Sequence, residues 1–457
     1  MGVFQVESRA QMSMLPRLRP RSYYDLVIQI ALVRPGPIQG DMVHPYLRRR
    51  QGLEPINYPN ADVQSVLGRT LGVPIFQEQV IQLAMVAAGF SPGEADALRR
   101  AMAAWKKDGG LDHFRDKLVD GMLARGHPMD FAERLFEQMK GFGKYGFPES
   151  HSASFALLVY VSAWLKCHVP EAFYTGLLNS YPMGFYSPSQ LLQEARRKGI
   201  TILPPDINDS DYDYALRQHQ CTTAIRVGLR AIKRLKQESV QQLLLARAQG
   251  EFSSLDDLAL RSGLSASSLE HLAGAGALDC LGEHRQAARW ALADSAWQLP
   301  LLAEAGVGVQ PHQLKPAAEG QQVLEDYLNL GFTLRTHPML LLRDQQALQG
   351  CMRHTDLADI PDGRFLSLAG LVTGRQRPGS AGGVMFATLE DETGNTNLIL
   401  WPDQVDRFRP ILLTSRLWRV RAQVQHQQGV THLIVDQLIN LDHLLGALPL
   451  KNVSYRP

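Results

Sequence analysis

GFGKYGFPESHSASFALLVYVSAWLK, residues 141–166, joins a polar, glycine-rich loop to the most apolar helical run in the chain. Gly141, Gly143 and Gly146 permit backbone turns that bulkier residues resist, and Pro148 suits a first helical turn. The pattern predicts a helix entered beside Pro148, with Lys144, Ser150, His151 and Ser152 gathered at its N-terminus. Exposed amides at such an end attract anions, so phosphate is the expected guest. Downstream, Leu157, Leu158, Val161, Trp164 and Leu165 recur at helical spacing, which predicts burial along one broad face that anchors the loop. The same residues also suit an ordinary loop capping a core helix. Ser150 and Ser152 have no acidic partner at triad spacing, which leaves hydrolysis weaker than recognition of a polyphosphate or nucleic acid.

The surrounding chain has 457 residues and the composition of a soluble globular protein, a length suited to about two to four domains. Its formal charge is +2 and its pI about 8.3, so a nucleic-acid surface must come from local clustering. Cys167, Cys221, Cys280 and Cys351 are far apart, which argues against a zinc ribbon and a disulfide framework and points to a reducing cytoplasm. MGVFQVESRAQM at residues 1–12 carries neither a signal peptide nor a membrane span, and it reads as the interior of a domain.

Local clustering is present. Among residues 1–51, Arg9, Arg17, Arg19, Arg21, Arg34, Arg48, Arg49 and Arg50 outnumber the acidic side chains. A helical pattern over Tyr24 to Ile30 stops at Arg34-Pro-Gly-Pro37, placing Arg34 at a turn where it can meet phosphate. Residues 68–85 and 90–102 read as amphipathic helices. Arg99 and Arg100 point about 100° apart on the second and can grip neighbouring phosphate oxygens or brace two elements, with Lys106 and Lys107 extending the stripe.

GVFQVES (2–8), RPGP (34–37), FQEQV (76–80), LRRAM (98–102), YGFPESHSASFAL (145–157) and NSYPMGFYSPSQL (179–191) follow one another in order. Together they resemble the fingers of bacterial C-family DNA polymerases, the polymerase III alpha subunit family. The last two motifs are most similar to its error-prone, damage-inducible branch. The resemblance covers essentially the whole chain, more loosely after Gly228, and implies the C-terminal portion of a longer polymerase without PHP and palm domains. It implies that Arg34, Arg99, Arg100, Lys144, Ser150 and His151 attend an incoming dNTP and template DNA. It also implies that Mg²⁺ is bound by palm aspartates outside this chain. The acidic run Asp206, Asp209, Asp211 and Asp213 reads as a solvated turn in the linker after the fingers, with no metal site expected.

Residues 223–292 return to helical pattern and look like paired helix-hairpin-helix units, which hold DNA phosphates through backbone amides on small-residue turns. The second turn keeps Gly274 and Gly276. In the first, Arg234, Leu235 and Lys236 stand where glycines are expected, so side-chain charge, with Lys233 beside it, substitutes there; plain helical packing is the competing reading for both units. Gln298, Leu299, Leu301 and Leu302 form a QLPLL pentapeptide similar to the bacterial sliding-clamp motif, an extended peptide whose leucines fill an apolar groove. Alternating segments at 365–372, 384–389, 397–400, 417–424 and 431–435 predict an OB barrel. Arg375, Arg377, Phe386, Trp401, Arg419 and Arg421 are its candidate single-strand contacts, with core filling the competing role for the two aromatics.

The expected architecture is therefore multidomain. It comprises mainly α-helical fingers (1–212), a helix-hairpin-helix region (213–295), a linker bearing the clamp peptide and short helices (296–362), a small all-β OB-fold barrel (363–445) and a tail (446–457). The expected function is the nucleotide- and DNA-handling part of an error-prone DNA polymerase for damage-induced translesion synthesis, inactive without its palm. Its expected partners are primer-template and single-stranded DNA, dNTP, the sliding clamp and damage-tolerance accessory proteins, in the cytoplasm and away from membranes. A non-catalytic DNA-binding scaffold joining the clamp to a repair complex is the alternative.

Overall fold

The computed structural model describes residues 1–32, 40–104, 112–142, 147–184, 186–282, 284–293, 315–379, 381–427 and 430–448. Its contacts define two compact units, Val3–Trp164 and Leu165–Pro457 with Met1–Gly2, and the division falls inside the helix Glu149–His168. Among the described residues no helix is long and apolar enough to cross a membrane.

The first unit is helical and has two cores. One gathers Val27, Ile28, Phe76, Ala156 and Val159; the other gathers Val80, Leu83, Leu98, Leu118 and Phe136. The helix Gln77–Ala88 contributes to the second, and Phe76 immediately before it contributes to the first. Gln79 is buried there. Its Oε1 accepts from the Ile75 and Phe76 amides at 2.8 and 3.2 Å, and its Nε2 donates to Thr70 Oγ1 at 2.9 Å and Val66 O at 3.2 Å. A buried amide so fully paired fixes the helix entry, which explains the second Gln of the FQEQV motif structurally.

The second unit begins with the helices Pro170–Asn179 and Pro188–Arg197, the latter closed by a Ser187–Gln190 capping box. A small sheet follows, ordered β1 (Ile202–Leu203), β3 (Thr222–Arg226), β2 (Ala215–His219). The helices Gln237–Arg247, Leu255–Ser262, Ala266–Gly274, Arg285–Ala293 and Glu319–Asn329 come next.

Five further strands close into a barrel: β4 (Phe365–Gln376), β5 (Met385–Glu390), β6 (Asn395–Leu400), β8 (Val430–Asn440) and β7 (Leu417–Gln427). Alternation puts Leu368, Ala387, Leu389, Leu398, Leu400, Val420 and Leu433 inside. Trp418 is fully buried, and its indole N–H donates to Ser415 Oγ at 2.6 Å, so the largest side chain of the barrel carries no unsatisfied polar group. The expected helical fingers, helix-hairpin-helix region and small OB barrel are all present.

Candidate nucleic-acid interface

The N-terminus of Glu149–His168 differs from its expected form. Its first amide, Glu149 N, donates to Glu78 Oε2 at 3.0 Å, so a carboxylate already occupies part of the anion-attracting end. Glu149 in turn accepts from Tyr24 O–H at 2.8 Å and lies 3.5 Å from Arg69, whose guanidinium stacks 3.9 Å over the Tyr24 ring. Burial raises the Tyr24 hydroxyl pKa well above its ordinary value, and the bond to Glu149 adds to the effect. Ser150 and His151 are exposed, whereas Ser152 is buried. The His151 ring lies between Phe147 and Phe155 at 5.1 and 4.3 Å, and Phe4 stacks on Phe155 at 5.2 Å. Lys144 and Arg34 lie outside the described residues.

The predicted burial of this helix is corrected. Leu157, Leu158, Val161 and Trp164 are each about half exposed, and the helix packs instead through Ser152, Ala156 and Val159. Small side chains allow close approach to the Val27–Phe76 core, so the narrow arc is buried and the bulky arc lies at the surface.

Arg99 and Arg100 converge on one carboxylate. Arg99 Nε is 2.9 Å from Asp96 Oδ1, and Arg100 Nε is 3.4 Å from Asp96 Oδ2. All three side chains are substantially exposed, and exposed pairs at this spacing contribute only about 0.3–0.5 kcal/mol each. Asp96 thus holds both guanidiniums through weak, exposed pairs. Lys106 and Lys107 lie outside the described residues.

In the first hairpin, Arg234 adopts φ +65°, the left-handed turn conformation expected of glycine. It precedes the helix Gln237–Arg247, whose N-cap Lys236 supplies no side-chain cap. Arg234 and Lys236 are exposed beside those end amides. Lys233 has another role: its backbone N–H donates to Asn329 O at 2.8 Å and its ammonium to Tyr327 O at 2.7 Å. Burial lowers its pKa, and the neighbouring Arg234 charge pushes the same way.

In the second hairpin both glycines face inward. Gly274 and Gly276 are buried, and the Gly276 amide donates to Ala273 O at 3.0 Å. A Cβ at Gly274 would stand 2.8 Å from Arg289 and Asn329, and one at Gly276 would stand 3.0 Å from Arg285. The absent side chains leave room for these internal side chains. Arg285 and Asp326 form an ion pair with both side chains 5% exposed.

The acidic run is engaged by arginines. Asp209 lies 2.7 Å from both Arg217 and Arg226, Asp211 is 2.8 Å from Arg217, and Asp213 is 2.6 Å from Arg230. Among the described residues no group of three or more His, Cys, Asp or Glu side chains is placed to hold a metal ion.

On the barrel, β5–β6 pairing sets Phe386 opposite Ile399, with Trp401 two residues further. Their inward neighbours Ala387, Leu398 and Leu400 are buried, so this row lies on the outer wall, and Trp401 is 51% exposed. Arg377 is exposed near it, donating to Gly383 O at 3.3 Å. Arg375 instead donates to Ser415 O and lies 5.2 Å over the Trp418 ring. Desolvation lowers its pKa. Arg419 donates to Ala347 O at 2.9 Å, and Arg421 lies on the same wall as Phe365. Gln298, Leu299, Leu301 and Leu302 lie outside the described residues, as does most of the tail.

Sequence reasoning missed the Glu78 cap, the Asp–Arg network and Phe365. None follows from local periodicity, although Phe365 could have been marked as an aromatic at a strand start beside Arg364.

A helical unit, a hairpin pair and an outward-facing aromatic row on a small barrel describe a nucleic-acid-handling protein. Residues 1–126 match the bacterial DNA polymerase III alpha subunit finger domain, residues 199–288 a helix-hairpin-helix motif and residues 366–441 an OB-fold nucleic acid binding domain. In this order the modules are similar to those of the bacterial DNA polymerase III alpha subunit family. The chain is 54% identical over 456 residues to the error-prone DNA polymerase of Alkalilimnicola ehrlichii, covering 100% of this chain and 44% of that protein. It is 52% identical over 459 residues to that of Saccharophagus degradans, covering 99% and 45%. For that of Pseudomonas paraeruginosa the identity is 53% over 456 residues, covering 99% and 44%. The chain thus spans less than half the length of these relatives.

Proposed function

We propose that this chain is the nucleotide- and DNA-handling portion of an error-prone DNA-directed DNA polymerase acting in damage-induced translesion synthesis. The observation that carries the reading is 52–54% identity along nearly the whole chain to proteins of that name. In this reading Arg99 and Arg100, with Arg34, Lys144, Ser150 and His151, attend the incoming dNTP and the template. Arg234 and Lys236 hold phosphates at the first hairpin, where exposed cations meet uncapped helix amides. The Arg377–Phe386–Trp401 wall stacks a single strand. Gln298, Leu299, Leu301 and Leu302 dock on the sliding clamp, and the tail serves damage-tolerance accessory proteins in the cytoplasm.

Nucleotidyl transfer by this family uses Mg²⁺, and the residues described here do not fit that role, because the acidic run at 209–213 already faces arginines, as do Asp391 and Glu392. In this reading the metal-binding carboxylates are those of a palm outside this chain. The purified chain is expected to bind primed and single-stranded DNA with strong salt dependence, yet not to extend a primer with Mg²⁺ and dNTPs. Robust extension by the chain alone, or no DNA binding at low salt, overturns the reading.

A further inference from the structure

Across the barrel from the Phe386–Trp401 row, β4 and β7 carry a second aromatic and basic surface. Phe365 pairs with Gln423, and Ser367 pairs with Arg421, so all four residues share one wall. Phe365 is 47% exposed although its neighbour Leu366 is buried. The Arg421 guanidinium lies 5.1 Å over the Phe365 ring centroid. A cavity of about 380 Å³ opens here, with Met352, Arg364, Phe365, Ser367 and Arg421 in its lining. Met352 N donates to Ser367 O at 2.8 Å, holding the far wall of the cavity against β4.

The charges at this wall are available. Arg421 meets Asp436 only at 3.9 Å, with both side chains about half exposed. Pairing passes from Arg421↔Gln437 to Ala422↔Val435, leaving Asp436 as the extra residue of a bulge, a feature that re-aims nearby side chains. Arg364 is exposed and makes no ion pair among the described residues.

An exposed ring backed by a guanidinium, with a second arginine at the same cavity, asks for a flat π-surface linked to anionic groups. An acidic peptide would engage the arginines and leave the ring uncovered. Duplex DNA would offer phosphates while its base faces stay stacked within the helix. An unpaired nucleotide satisfies both, its base on Phe365 and its flanking phosphates at Arg364 and Arg421. We propose that the Phe365–Arg364–Arg421 wall is a second single-strand site, so that one strand crosses two sides of the barrel. This rests on the single-strand reading of the barrel given above, and the two can fail separately.

The test uses the full chain and fluorescein-labelled oligo-dT, read by anisotropy over a salt series. Phe365→Ala is expected to weaken binding about fivefold or more. Phe365→Tyr should restore it and Phe365→Leu should not, because stacking needs the ring and packing needs only bulk. Arg364→Gln and Arg421→Gln should each make the log–log salt slope shallower by about 0.7. Melting curves should match the parent, since these side chains are exposed. If Trp401→Ala weakens binding while folded Phe365→Ala binds like the parent, this site is refuted and the first face stands. If neither variant changes the affinity, the single-strand reading of the barrel falls, and this site with it. Binding of a fluorescent Glu-rich peptide that is lost in Arg421→Gln, with oligo-dT binding unaffected by that change, would make the wall a peptide site and overturn the proposal.

Discussion

Replacing Asp326 by Asn tests whether the glycine turn of the second hairpin is an internal joint. Arg285 Nη2 donates to Asp326 and to Ala275 O at 3.3 Å, and Nη1 donates to Gln322 O at 3.2 Å. Asp326 Oδ2 also accepts from Thr333 Oγ1 at 2.6 Å. The substitution keeps the shape and removes the charge, leaving a buried guanidinium without its close counter-ion. Breaking a buried pair from one side costs about 3–5 kcal/mol, and the retained amide oxygen argues for the lower end. At about 2–4 °C per kcal/mol for a domain of this size, the melting transition of the second unit should fall by about 6–12 °C in scanning calorimetry. Arg285→Met combined with Asp326→Leu should recover most of that loss, because apolar replacements carry no stranded charge. Oligonucleotide affinity measured well below the transition should be unchanged. A melting point within about 2 °C of the parent, or a double variant no better than the single, refutes the energetic argument. Lost DNA affinity in the folded single variant would show that the turn reaches phosphate after all.

Arg234→Ala and Lys236→Ala should each lower the magnitude of the salt slope of duplex binding by about one with little change in melting, whereas Lys233→Ala should lower stability; the reverse pattern would reassign the hairpin contacts. For Asp25, burial pushes the carboxyl pKa up, but the Arg50 guanidinium and the Arg21 and Ser22 amides outweigh it and hold the group at about 2. A depressed folded pKa contributes stability above the unfolded value of about 3.9 and loses it as pH falls towards 2, so the melting gap between parent and Asp25→Asn should narrow across that window. Parallel melting curves down to pH 2 would contradict this. In a full-length polymerase containing this segment, Arg99→Ala and Arg100→Ala should each reduce kcat/KM for dNTP incorporation about tenfold to hundredfold, the equivalent of one charged hydrogen bond, with melting unchanged. Unchanged kinetics with a lower melting point would make them structural.

Local order was legible in the chain itself. Alternation of apolar and polar residues over 365–435 determined a five-stranded barrel, because the period of a strand is set by its own backbone. The ordered motifs pointed to the polymerase family, but whether Phe386 and Trp401 fill the core or face outward was open, and both lie on the outer barrel wall. Tertiary structure decided which of these features meet. Periodicity marked Leu157, Val161 and Trp164 as one apolar face, yet burial followed Ala156 and Val159 because only that arc found a fitting surface. Small residues marked Gly274 and Gly276 as a place of close approach, but whether DNA or Arg285 approaches is set by residues remote in the chain. The Glu78 carboxylate at the Glu149 amide and the Arg421 guanidinium over Phe365 are likewise contacts between separate segments. A sequence fixes the period and chemistry of each element, whereas packing in three dimensions selects the neighbour that completes it.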